Sequence, residues 1–298
     1  MGSNPPQHFP GQDSDRRDSG PLAPIPEILP PDGQTPLRPE YQYAPTPPPR
    51  RPRVRFSMAP ATYTLLGINC AVFLLMAMQG VGPISPSSEG LMRWGADNAG
   101  AVLILGQWWR IVTAIFVHGG VMHLALNMWC LWNLGMLAEP LMGTFGVFAV
   151  YLLTGAAGNL LSTFFNWIHY APVGVFPAGV GASGAIFGIA GALIVLLKAQ
   201  RLPVPPEELK KIRRSVIYFA AINLFIGFGI NFGASRIGVA IDNWAHMGGC
   251  ASGLLFAVPM VPRIGWPRRT FETRLRIAVG MMAGVLVLFA FFLQQLVR

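Results

Sequence analysis

The sequence predicts an all-α polytopic membrane protein with seven crossings, and three observations lead there. Hydrophobic residues make up 52% of the 298-residue chain against 12% charged, and mean hydropathy is +0.46, a balance that does not suit a soluble globular domain. Seven apolar runs approach the roughly 20 residues that cross a bilayer core of about 30 Å. Basic residues bracket those runs instead of gathering in a stripe interleaved with aromatics, so the net charge of +9 reads as topology and not as a nucleic-acid surface.

Residues 1–57 hold 15 of the 27 prolines, with no periodic apolar face to offset the entropy of ordering. They read as a disordered cytoplasmic arm, without the short apolar core and small-residue cleavage site of a signal peptide. Arg50, Arg51, Arg53 and Arg55 close the arm against the first run. The runs then fall at 61–79, 112–138, 145–166, 183–199, 214–232, 242–260 and 275–296. Breaks are marked by Gly80 to Pro86, Glu139-Pro140, Pro172 to Gly181, Arg201 to Pro206, Gly233 to Arg236, and Pro259 to Pro267. With the amino terminus cytoplasmic, 18 of the 22 Lys and Arg residues lie on that side and four on the other, as the positive-inside rule expects. Residues 58–260 are the expected core, and 261–298 a basic loop with the seventh span. The long connection 80–111 carries Trp94, Trp108, Trp109 and Arg110, residues that suit the headgroup level; it reads either as a partly inserted element or as a plain extramembrane loop.

Polar groups inside a span are costly and point to function. Ser183 stands at the mouth of the fourth run in Gly181-Ala-Ser-Gly184, His246 in the sixth, and His123 with Asn127 in the second. Counted from Lys198, Pro262 and Glu139, the positions Ser183, His246 and His123 each lie about 22–24 Å up their helices at ~1.5 Å per residue, which is one common depth. Gly181, Gly184, Gly188 and Gly191 line the fourth run, and Gly249 with Gly253 forms a Gly-x-x-x-Gly in the sixth, spacing that lets helix backbones approach closely. A neutral imidazole within reach of a hydroxyl can take its proton. A serine at a helix start also has free main-chain N–H groups facing a developing oxyanion, and His123 and Asn127, four apart, share a face. Cys70, Cys130 and Cys250 read as buried thiols without metal-site spacing, and the proposed chemistry calls for no cofactor and no metal. Asp242, one turn before His246, is a candidate third member or simply a solvated end carboxylate. His118 and His169 read as interfacial or loop residues.

Together these motifs resemble the rhomboid family of intramembrane serine proteases over about residues 60–260. They are Trp109-Arg110 after the long loop, His123-x-x-x-Asn127, Gly181-x-Ser183-Gly184, and Ala245-His246-x-x-Gly249-x-x-x-Gly253. The resemblance implies a six-helix bundle plus a C-terminal seventh helix, with Ser183 as nucleophile and His246 as base. It also implies an oxyanion hole of His123, Asn127 and the Ser183 N–H. Phe187 stands where many relatives have Tyr, so stacking on the histidine remains available and a phenol hydrogen bond does not. The fifth span and the stretch 232–241 become candidates for a lateral gate and cap. Transmembrane protein substrates and membrane lipid are the expected partners, with no nucleic acid; a bacterial inner membrane is the expected location. The alternative within the family is a catalytically silent binder of transmembrane clients, and outside it a transporter, for which no mid-span carboxylate or paired broken helix is present.

Overall fold

The computed structural model describes residues 59–198, 205–233, 241–261 and 267–297; the N-terminal arm and most of the predicted cap lie outside these residues. The described chain is helical, with no named strand among the described residues. Its long helices are α1 (Pro60–Met78), α5 (Val121–Tyr170), α6 (Ser183–Leu196), α7 (Pro206–Gly233), α8 (Asn243–Ala257) and α9 (Arg268–Leu296), and the loop after α1 holds three short ones, α2 (Ser88–Arg93), α3 (Ala99–Leu103) and α4 (Arg110–Thr113). α5 is two helices joined at Gly143, whose φ of 73° is a conformation that only glycine adopts readily. The run therefore supplies two of the long helical segments, giving six core segments and α9 as a seventh among the described residues.

Several boundaries differ from the expected ones. The second span begins at Val121 and not near 112, because Gly120 (φ 120°) turns the chain just before the helix. The break expected at Glu139-Pro140 falls at Gly143 instead, with Pro140 inside the helical run. Glu139 is not a solvated end marker: it is buried, accepts Ala61 N–H at 2.8 Å, Thr62 N–H at 2.9 Å and the Thr62 hydroxyl at 2.8 Å, and also takes the Thr144 hydroxyl at 3.0 Å. A carboxylate thus caps the N-terminus of α1, where orphan N–H groups and the helix dipole favour an anion, and it ties α1 to the kink of α5. α7 and α9 both begin about seven residues earlier than their apolar runs, their first turns being basic and acidic: Glu207 and Glu208 open α7.

The loop 80–111 folds around a buried guanidinium. Arg110, expected at headgroup level, is 8% exposed and donates to the Met92 carbonyl at 2.7 Å, the Ala96 carbonyl at 2.9 Å and Gln107 Oε1 at 2.6 Å. Ser87 and Asn98 cap α2 and α3 through the N–H groups of Gly90 and Ala101. The connection is therefore an ordered structural element, and it leaves Ile84, Ile104, Leu105 and the Trp109 ring outward, the last beside the Arg110 guanidinium.

α6 is the axis of the bundle. Every residue from Gly184 to Leu193 is buried, and the helix is apolar all round, the pattern of an element enclosed by its neighbours. α5 and α8 enclose it. Gly249 and Gly253 of α8 sit against the carbonyls of Gly184 and Gly188, and a Cβ at either position would overlap that backbone. Small residues here allow main-chain contact between two membrane helices. α9 is peripheral. Its first half places Leu275, Ala278 and Met282 in the main apolar core, and its far end places Leu293 in the cluster with Val102, Leu103, Ile111 and Leu160.

Candidate active site

The close α6–α8 packing decides where two polar side chains meet. Ser183 is the first residue of α6 and His246 lies one turn into α8, so the backbone contact of Gly184 with Gly249 leaves their side chains facing one another. His246 Nε2 and Ser183 Oγ stand 2.8 Å apart. The imidazole is 7% exposed and lies flat on Phe187, with ring centroids 4.4 Å apart and planes 14° from parallel. Phe187 is one turn after Ser183, on the same helix face, so α6 supplies both the hydroxyl and the wall that orients the ring.

A hydrogen bond in which Ser183 donates to Nε2 requires the proton of a neutral imidazole on Nδ1. His246 Nδ1 has no hydrogen-bond partner among the described residues. Asp242 does not supply one. Its carboxylate caps α8 by accepting Ala245 N–H at 2.9 Å and takes the Ser162 hydroxyl on its other oxygen. The arrangement is a two-residue pair, with Asp242 acting on the helix end and not on the ring.

His123 and Asn127 come to the same place from α5. The chain before α6 is pinned by Gly181 N–H on the Ala114 carbonyl at 2.9 Å, and Gly181 has φ +120°. A Cβ on Gly181 would lie 2.7 Å from His123 Cε1, 2.8 Å from its Nε2 and 3.8 Å from Asn127 Nδ2, so only glycine lets these side chains border the start of α6. Gly119 N–H points to His123 Nδ1 at 3.2 Å. With Nδ1 accepting, the neutral ring carries its proton on Nε2, which faces Gly181 as a donor. Asn127 gives one amide hydrogen to the His123 carbonyl at 2.9 Å and keeps the second. The Ser183 N–H belongs to the first turn of α6, where no intrahelical acceptor exists. The Ser183 hydroxyl and the His246 acceptor nitrogen thus meet at the start of α6, with His123 and Asn127 bordering Gly181 two residues before it.

Two polar residues at the site were missed or misjudged from sequence. His118, expected near the outer surface, is fully buried with its ring 5.3 Å from that of His123, and its Nε2 lacks a partner among the described residues. Burial of a histidine in a short non-helical stretch leaves no periodic signal. Asn243, one turn before His246, is 4% exposed, and neither amide atom is paired among the described residues. Among the described residues no cluster of His, Cys, Asp or Glu has metal-site geometry. His169 lies in the last turn of α5 beside Tyr170, with ring centroids 5.3 Å apart.

Comparison with known proteins gives a concordant result. A family model described as the rhomboid domain matches residues 105–263, more than half of the chain. Among curated proteins, the chain is 31% identical to rhomboid protease GluP of Bacillus subtilis over 223 residues, 74% of this chain and 38% of that protein. It is 30% identical to RHOMBOID-like protein 7 of Arabidopsis thaliana over 68% of this chain and 57% of that one. Rhomboid protease AarA of Providencia stuartii is 28% identical over 70% of this chain and 76% of its own length. The chain thus spans well under two thirds of the first two of these relatives.

Proposed function

Since the chain belongs to the rhomboid family, a family of multi-pass integral membrane proteins, we propose that it is an intramembrane serine endopeptidase that cuts transmembrane proteins within or beside their spans. The observation that carries this reading is the 2.8 Å contact between His246 Nε2 and Ser183 Oγ, on a ring held flat by Phe187. In the proposed reaction Ser183 Oγ attacks the scissile carbonyl carbon as its proton passes to His246 Nε2. The Ser183 N–H, the His123 Nε2–H and the free Asn127 amide hydrogen stabilise the oxyanion. His246 returns the proton to the leaving amine nitrogen, and the C–N bond breaks. A water, deprotonated by His246 Nε2, then attacks the acyl carbon, and the ester bond to Ser183 breaks as His246 returns the proton to Oγ. No metal or organic cofactor takes part.

Peptide carbonyls in a substrate helix are already hydrogen-bonded, so the scissile segment must unwind before attack, and helix-weakening residues near it favour cleavage. α7 is the element whose packing suits lateral entry: it buries Leu209, Val216 and Ala220, while Phe225 is 80% exposed. We take residues 58–260 as the catalytic core with α9 appended. The 18-to-4 split of basic residues supports a cytoplasmic amino terminus, in a bacterial inner membrane.

The test is cleavage of a generic single-span substrate by the purified protein in detergent, beside Ser183→Ala and His246→Ala with folding and client binding checked for each. The reading requires both folded variants to lose at least about 10³-fold in rate. Equal cutting by all three would place the activity elsewhere. Binding by all three without cutting, across several substrates, would instead favour the catalytically silent client binder.

A further inference from the structure

The end of α8 remote from Ser183 is flanked by two cavities that the proposed chemistry does not use. One, of about 450 Å³, lies between α6, α7 and α8; its walls include Ile194, Leu254 and Val258, and its rim carries Lys198 and Arg213. The other, of about 460 Å³, lies between the end of α8 and the start of α9, with Pro259 and Ile277 as apolar wall and Arg269 and Arg274 beside the Thr270 and Thr273 hydroxyls. Thirteen residues separate His246 from Pro259, a rise of about 20 Å, so both cavities sit near the opposite surface of the bundle.

Ion pairing sorts the basic residues at this surface into two sets. Lys210 pairs with Glu207 at 3.7 Å, Lys211 with Glu208 at 2.8 Å and Arg268 with Glu272 at 2.7 Å. The four cations on the cavity rims are in no ion pair among the described residues. Arg213 Nε donates to the Ile194 carbonyl at 3.0 Å and Arg274 Nη1 reaches the Pro259 carbonyl at 3.4 Å. These contacts hold each guanidinium at its rim and leave further N–H groups unused. Each cavity therefore joins two cations that are in no ion pair among the described residues to an apolar wall.

That combination is complementary to one amphiphile. A phosphodiester matches paired cations, joined in the second cavity by the Thr270 hydroxyl since Thr273 already donates to the Arg269 carbonyl at 2.9 Å, and an acyl chain matches the apolar wall beside them, whereas a soluble anion has no use for the wall. We propose that the two cavities are sites for anionic phospholipid, one on each side of α8. Bound there, the lipid braces the inner ends of α6, α7 and α9 against the helix that carries His246.

The full-length protein in a neutral detergent is titrated with phosphatidylglycerol, with phosphatidylcholine of the same chains, and with inorganic phosphate. Native mass spectrometry and the thermal midpoint serve as readouts. Phosphatidylglycerol should bind and raise the midpoint, while the other two should not. Neutralising a rim pair, as in K198Q/R213Q or R269Q/R274Q, should weaken the lipid at that cavity about thirtyfold and leave the other cavity's lipid bound, at about one kcal/mol per cation near a charged surface. A control with the paired cations neutralised, K210Q/K211Q/R268Q, should weaken it by less than about threefold. Equal loss in the control would reduce the effect to bulk charge and overturn the proposal. A response to inorganic phosphate alone would also overturn it, by showing an anion site without a lipid. Because the readout is binding, failure here leaves the protease reading untouched.

Discussion

Asp97, in the loop after α1, and Gly179, four residues before Ser183, exchange two main-chain hydrogen bonds of 2.8 Å each. The pairing fastens the loop to the segment that leads through Gly181 to Ser183 at the start of α6. The Asp97 carboxyl below it is fully buried, with both oxygens on the Thr163 hydroxyl at 3.0 and 3.2 Å. Burial pushes this carboxyl up from 3.8 to about 7; the Thr163 hydrogen bond opposes the shift, the nearby Asp242 adds to it, and Arg110 opposes it.

The sign of the resulting pH dependence follows from linkage. A carboxyl whose folded pKa is raised contributes stability in its neutral form. That contribution is complete below pH 3.8, declines as pH rises, and is gone above about 7. Its full size is on the order of a few kcal/mol. Asp97→Asn keeps a neutral side chain at every pH, so its midpoint should gain on wild type steadily between about pH 4 and 7. Thermal unfolding across that range measures it, and parallel curves for the two proteins would contradict the assignment.

Gly249 meets the Gly184 carbonyl so closely that a methyl group would strike backbone, which cannot rotate away. Gly249→Ala should separate α6 from α8 and lengthen the Ser183–His246 contact. A loss of about tenfold or more in cleavage rate is expected, together with destabilisation of about 1–3 kcal/mol. Gly280→Ala on α9, where a Cβ meets nothing within 4 Å, should change neither. Comparing cleavage and unfolding for this pair separates close packing from a general effect of replacing glycine in a membrane helix.

Phe187→Leu keeps most of the buried volume and should cost less than about 1.5 kcal/mol in stability. It removes the flat surface under His246, so the ring gains rotational freedom and the turnover rate falls while folding is retained. Equal kcat in the variant and wild type would show that stacking does not position the ring.

Glu139→Ala leaves two N–H groups at the start of α1 and two hydroxyls without their shared acceptor. Loss of about 2–4 kcal/mol is expected from breaking charge-assisted bonds and stranding buried donors, with Glu139→Gln intermediate because one oxygen acceptor survives. Chemical denaturation of the two variants beside wild type would check both the size and the order.

The sequence by itself determined which segments are apolar enough to leave water, where glycine and charge interrupt them, and which polar side chains stand inside them. Hydropathy and chain-breaking are local properties, so the long apolar helices of the described residues were legible though not all their ends, and so were Ser183, His246, His123 and Asn127 as polar groups within or at the mouths of those segments. Tertiary structure decided the rest. It turned Glu139 from an expected end marker into a cap on a helix 78 residues away, buried Arg110 and His118, and directed Asp242 to its own helix end instead of the imidazole. It also brought Ser183 to 2.8 Å from His246 across 63 residues of chain. The physical reason is that a contact between helices depends on how closely two backbones approach and in what rotation. Pairs such as Gly184 with Gly249 set that approach, and neither member shows in the sequence which partner it will meet.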